Sequence, residues 1–207
     1  MEALKQSWMR AWSGLRLAGD GADLYGRLIA AYSEAHRKYH TLQHLSECIA
    51  TLESVRASIP HPAEVEIALW FHDAIYDTKR SDNEAQSAEW AAKALSAAGA
   101  SAESTALVKS LILATTHDAA PQALDEQFLV DIDLSILGSD ERRFAEFERQ
   151  VREEYSFVPG FLFRMKRKSI LKSFLERQCI YSTSHFRGLL ESRARHNMEL
   201  VVRGRVA

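Results

Sequence analysis

Ala63-Glu-Val-Glu-Ile-Ala-Leu-Trp-Phe-His-Asp-Ala-Ile-Tyr76 is the stretch that decides the fold. After Glu66 it is apolar on nearly every face of a helix, and a helix without a polar face needs neighbours all round it. The pattern predicts a central, buried helix over 63–76 with His72 and Asp73 towards its C-terminal end. Upstream, Leu42, Leu45, Ile49 and Leu52 recur at helical spacing from Thr41 and stop before Pro60 and Pro62, an amphipathic helix. Further helices are expected over about 2–13 and 22–35, with Gly14, Gly19 and Gly21 marking the loop between them.

Downstream, Ser81 or Asp82 can cap a helix that runs to Gly99, and another spans about 102–116. Residues 118–121 read as a loop. Asp125 is placed to cap a short helix through Leu137 that Gly138 ends. Ser139, Asp140 and Glu141 open the next helix, Pro159-Gly160 interrupts the chain, and two helices over about 161–180 and 184–202 complete it, joined at Ser182-Thr183-Ser184. Only four prolines and nine glycines in 207 residues, with no convincing alternating run, predict an all-α fold. One domain over 1–207 is the simplest reading.

Composition narrows the function classes. The 26 basic and 28 acidic residues leave a net charge of -2, so no overall field draws nucleic acid or an anionic membrane. The basic run Arg164-Met-Lys-Arg-Lys168 shares its helix with Phe161, Leu162, Ile170 and Leu171 and reads as a solvated face. Cys48 and Cys179 are far apart with no CxxC, which argues against a thiolate zinc site and reads as two reduced core thiols. An N-terminus without the apolar core of a signal peptide, and the lack of any run of about 20 apolar residues, lead to a cytoplasmic expectation. Neither a Gly-rich phosphate loop nor a G-x-S-x-G motif is present.

The candidate chemistry lies in histidines and carboxylates. His40 and His44 are four apart and share a face if His40 is already in the first helical turn. His72 and Asp73, adjacent, diverge by about 100° and serve one centre only beside a helix end. Burying the Asp73 carboxylate without a partner costs several kcal/mol, so a metal or another cation near it is the economical explanation. In Phe128-Leu-Val-Asp-Ile-Asp-Leu-Ser-Ile-Leu-Gly138, helical geometry sets Asp133 on the stripe of Leu129, Ile136 and Leu137. Asp131 lies about 200° away, solvated by default or a partner to a ligand.

In order, Tyr39-His40-Thr-Leu-Gln-His44, Phe71-His72-Asp73 and Ile132-Asp133-Leu134-Ser135 resemble the HD superfamily of metal-dependent phosphohydrolases, whose signature is H…HD…D. The first and last pieces look like the YHxxxH and ADLS of the cyclic-nucleotide phosphodiesterase branch. Nearly the whole chain is similar to a bacterial group of HD phosphohydrolases, through Arg37-Lys-Tyr-His40, Trp70 to Asp77, Asn83-Glu84 with Ser87, Thr116-His117, Asp131 to Gly138 and Arg152-Glu-Glu-Tyr155.

That resemblance implies an HD-domain helical bundle with its metal-site core at about 36–138. It implies that His44, His72, Asp73 and Asp133 ligate a divalent metal (Mn, Mg, Zn, Fe or Ni) and that His40 protonates the leaving oxygen of a small phosphorylated substrate. For His40 the competing reading is a packing residue that orients the ligand helix. Asp77, one turn after Asp73, is a second catalytic candidate, against a helix-end carboxylate. His117 and Asp131 are candidates for a second metal or for support of the first; the fuller two-metal pattern has two histidines between HD and the last Asp, where this chain has His117. Arg37, Asn83 and Glu84 are candidate substrate contacts, the last two against a capping role. The alternatives to a hydrolase are a di-iron oxygenase and a regulatory ligand-binding module.

Overall fold

The structure is a computed structural model that describes residues 1–117 and 119–205; Asp118, in the loop expected at 118–121, lies outside the described residues. Among the described residues the chain is all helical, without a strand. It divides into two compact units, one through Ile132 and one from Asp133 onward. The first holds α1 (Glu2–Gly14), α2 (Ala22–Ala31), α3 (Leu42–Val55), a 3-10 turn at Arg56–Ser58, α4 (Pro62–Phe71), α5 (Asn83–Ala97), α6 (Ala102–Ala114) and α7 (Leu124–Asp133) but for its last residue. The second holds a 3-10 segment at Leu134–Gly138, α8 (Glu141–Glu154), α9 (Gly160–Leu175) and α10 (Ser184–Val202).

The all-round apolar helix is the hub of the first unit. α4 packs against α1, α3, α5 and α6, and Val65, Ile67, Ala68, Leu69, Trp70 and Phe71 are all fully buried. Trp8 of α1 meets Trp70 edge-on at 5.4 Å, and Phe71 meets Trp90 of α5 at 5.7 Å. Gly21, in left-handed backbone with φ 63°, opens α2; a side chain there would be strained, and a Cβ would sit 2.8 Å from the Trp12 ring. α4 stops at Phe71 rather than continuing to Tyr76, so His72 and Asp73 stand at the helix end, as their adjacency requires of a shared centre.

The capping chemistry is partly as expected: Asp140 caps α8, while Asp82 stands at the N-cap of α5 without a side-chain cap bond. The side chains of Thr41, Ser101, Asp140 and Thr183 accept N–H groups in the first turns of α3, α6, α8 and α10. Asp125 differs: it lies inside the first turn of α7 and serves another helix. Its buried carboxylate accepts the His61 N–H at 2.9 Å and the His61 ring at 2.8 Å, closing the N-terminus of α4, where Pro62 has no N–H in need of an acceptor.

Asp125→Ala is expected to cost about 1–3 kcal/mol in chemical denaturation, because it strands the His61 N–H at a helix start. The bond to Asp125 raises the pKa of His61 from its ordinary 6.5. The charged pair therefore contributes fully below 6.5 and is lost as pH rises through the raised folded value. The gap between wild type and Asp125→Ala should narrow over that window; a gap that widens with pH would contradict the assignment.

In the second unit α10 packs on the 3-10 segment and on α9. Gly138 ends that segment where α10 crosses, since a Cβ there would lie 2.7 Å from the Cβ of Leu190. Asn197 donates to the carbonyls of Leu137 (2.9 Å) and Ser139 (3.0 Å), and Tyr181 donates to that of Leu134 (3.1 Å). On α9, Arg164 and Lys166 are exposed while Arg167 pairs with the Glu148 carboxylate of α8, in keeping with a solvated basic face. No helix among the described residues is long and apolar enough to cross a membrane.

Candidate metal centre

Three side chains of the first unit converge at the C-terminal end of α4. His44 comes from the first turn of α3, and His72 and Asp73 from the residues directly after α4. His44 Nε2 lies 3.2 Å from His72 Nε2 and 3.5 Å from Asp73 Oδ2, and His72 Nε2 lies 3.0 Å from the same oxygen. Both imidazoles are buried, and the Asp73 side chain is 17% exposed. His72 Nδ1 is 2.8 Å from the Leu69 carbonyl oxygen, which can only accept, so that nitrogen carries the proton. In the neutral ring the Nε2 lone pair then points at a second imidazole nitrogen and at a carboxylate. Electron pairs facing one another at this range are relieved by a cation among them, either a proton on one of the imidazoles or a metal ion.

The spacing suits a metal. With bonds of about 2.1 Å, neighbouring ligand atoms stand about 3.0 Å apart at octahedral angles and about 3.4 Å apart at tetrahedral ones. The three separations of 3.2, 3.5 and 3.0 Å span that range. Burial alone would raise the Asp73 pKa, but His72, His40 and the bonds from His44 and His72 outweigh it and hold the carboxyl well below its usual value. Asp73 is therefore an anion ready to ligate.

Cys48 belongs to the same neighbourhood. Its thiol is buried and unbridged, as expected, but it lies 3.7 Å from both ring nitrogens of His44, one helical turn away on α3. His44, Cys48 and His72, all in the first unit, each offer a ligand atom, and these atoms all lie within 4.8 Å of one another, so the group can hold a metal ion. Asp133, the fourth expected ligand, is the last residue of α7 and begins the second unit. The expectation that cysteine spacing argues against a thiolate ligand is thus corrected: the relevant partner is His44 at i−4, not a second cysteine. Asp131 is also corrected. It is fully buried rather than solvated, because α7 is too short and too enclosed to keep a wet face there.

His40 stands just before α3, half-buried, its ring stacked on Tyr76 at 4.1 Å and 6.0 Å from the His44 ring. Tyr39 packs on His44 at 4.7 Å. Arg37 is buried, and its nitrogens are committed to the protein: Nε to Glu34 (3.0 Å), Nη1 to the carbonyls of His40 (3.2 Å) and Asp73 (2.6 Å), and Nη2 to that of Ala74 (3.0 Å). Carbonyls at a helix end lack intrahelical partners, so Arg37 ties the His40 segment to the end of α4 and sets the dyad's position. That role replaces the phosphate contact expected of it.

The loop after the dyad is clipped to α5. Ile75 N–H donates to Ser87 Oγ at 3.0 Å, and Asn83 bridges the backbone of Asp77 through Oδ1 (3.1 Å) and Nδ2 (2.9 Å). Asp77 is exposed and its carboxylate accepts the Lys79 N–H at 2.9 Å, which makes it a turn carboxylate. Asn83 is thus a loop clip, and Glu84 lies half-buried in the first turn of α5. His117 follows α6 in left-handed backbone with φ 57°, half-buried, and is not a member of the metal-ligating group. Neither a family model, nor a curated protein, nor a solved structure matches the chain.

Proposed function

We propose that the protein is a metal-dependent hydrolase of phosphate esters, acting on a small phosphorylated metabolite or nucleotide. The observation that carries the reading is the convergence of His44, His72 and Asp73 within 3.5 Å, with Nδ1 of His72 bonded away from the centre. Two imidazoles among the donors favour Zn, Mn, Fe or Ni over Mg, which prefers an all-oxygen shell. A divalent ion in such a site lowers the pKa of bound water and neutralises phosphoryl oxygens.

The chain's own residues supply the rest. Asp73 stays ionised to hold the ion. His40, half-exposed beside the ligands and steadied by the Tyr76 ring, is in position to give a proton to the leaving oxygen. Arg37 keeps the His40 segment and the dyad in register through the carbonyls it bonds. The order H…HD…D, which resembles the HD phosphohydrolases, supports the same chemistry.

Metal analysis of the purified protein, with a panel of phosphomonoesters and phosphodiesters in added Mn, Zn or Mg, tests the proposal. Release of phosphate or alcohol that needs the metal is the expected result. Bound metal with no turnover across the panel would overturn the hydrolase reading and leave the metal centre standing.

A further inference from the structure

α9 turns large apolar side chains outward. Phe161 and Met165 are each 64% exposed and Phe157, in the turn before the helix, is 54% exposed, with Leu162 exposed beside them. The helix keeps Leu171 and Phe174, on its opposite side, for the fold. At about 100° per residue, Phe161, Met165 and Leu162 share an arc of about 100°, with Arg164 and Lys168 along one edge and Lys166 along the other. Lys172 lies on the same arc roughly two turns beyond Met165. The helix carries five cations and no acidic residue. Arg167 is taken by Glu148, and the exposed acids closest in sequence, Glu153 and Glu176, lie outside the helix. Exposed apolar side chains gathered in one place mark an interaction surface, where a single one would mean nothing.

We propose that this face of α9 docks on an anionic phospholipid surface, with Phe157, Phe161, Leu162 and Met165 entering the headgroup region and the flanking lysines and Arg164 meeting the anionic headgroups. Apolar residues between rows of Lys and Arg are the pattern of a helix that lies in the plane of a membrane interface. A protein partner fits less well: three of the five cations are lysines, which are depleted at protein interfaces and act as compact charges in a diffuse field rather than as forked donors. A second copy would bring two like-charged faces together. The chain's net charge of -2 does not oppose docking, since a Debye length of about 8 Å at physiological salt leaves the local cations to set the field.

Cosedimentation of the whole protein with vesicles of phosphatidylcholine alone, and of equal parts phosphatidylcholine and phosphatidylserine, gives the test. Wild type should pellet with the anionic vesicles only, and less of it as salt is raised. Lys166→Ala/Lys172→Ala should weaken that binding about 25-fold, taking about five-fold for each basic residue at an anionic surface. Phe161→Ser/Met165→Ser should weaken it at least about 10-fold at unchanged charge. All four positions are exposed, so both variants should keep the wild-type unfolding midpoint. No binding of wild type to the anionic vesicles, equal binding to both kinds of vesicle, or undiminished binding by either variant would overturn the proposal. Two further outcomes would overturn it by naming another occupant. Binding to soluble polyglutamate but not to vesicles would make the face a site for an acidic protein, and a wild-type dimer that Phe161→Ser/Met165→Ser dissociates would give it to a second copy.

Discussion

His72→Ala lowers the affinity for Mn or Zn by at least about 100-fold. Disturbing residues that merely orient a ligand costs 10–100-fold, and this change removes a ligand outright. Under the proposed hydrolase function it is also expected to abolish metal-dependent turnover. Asp73→Ala does the same by removing a carboxylate that lies 3.0 and 3.5 Å from the two imidazoles. His40→Ala separates binding from chemistry: it keeps the metal, since its ring stacks on Tyr76 outside the ligand group, and loses turnover by roughly 100-fold or more. Titration calorimetry with the metal and steady-state assays on one set of preparations give both readouts. Because His72 is buried, His44→Gln serves as a second ligand variant, with circular dichroism to establish that each protein is folded. Full metal affinity in both ligand variants would contradict the site.

Glu66→Ala destabilises the first unit by about 3 kcal/mol without touching the metal. Glu66 is a fully buried carboxylate on α4. It accepts from Ser7 Oγ at 2.6 Å and from Arg56 Nη1 at 2.7 Å, and Arg10 bonds it through Nε and Nη2. Trp70 Nε1 donates to the same Ser7 hydroxyl at 3.1 Å, so one network joins α1, α4 and the 3-10 turn at Arg56–Ser58. Removing one partner of a buried ion pair costs about 3–5 kcal/mol. The lower end applies because Arg10 and Arg56 retain 38% and 24% side-chain exposure and can be partly rehydrated. A fall of roughly 6–12 °C in the unfolding midpoint corresponds to that cost. A midpoint within a degree or two of wild type would mean that desolvating the arginines cancels the attraction. Metal affinity should be unchanged, which sets this mid-helix cluster apart from the centre at the C-terminal end of α4.

Periodicity reports which faces are covered, and this is where the sequence reading was strongest. The unbroken apolar run after Glu66 led directly to a helix packed on all sides, and the adjacency of His72 and Asp73 led to a centre at a helix end. The Asp140 cap is local in sequence and was legible for that reason. What escaped was contact between residues far apart in the chain. Arg37 looks like any exposed cation until its partners, 36 and 37 residues away, are known. Asp125 resembles a cap for its own helix and closes another 64 residues upstream. Asp131 fell on the wrong side of a helical wheel because a ten-residue helix can be covered on more than one face. Cys48 did carry a signal, its i+4 relation to His44, which passes unnoticed when cysteines are counted only against one another.

Anomalous diffraction from crystals soaked in Mn or Zn tests the central claim most directly. The account predicts one strong peak within bonding distance, about 2.0–2.3 Å, of His44 Nε2, His72 Nε2 and an Asp73 carboxylate oxygen. A fully soaked crystal with no peak there, or with its only peak elsewhere on the chain, would contradict it.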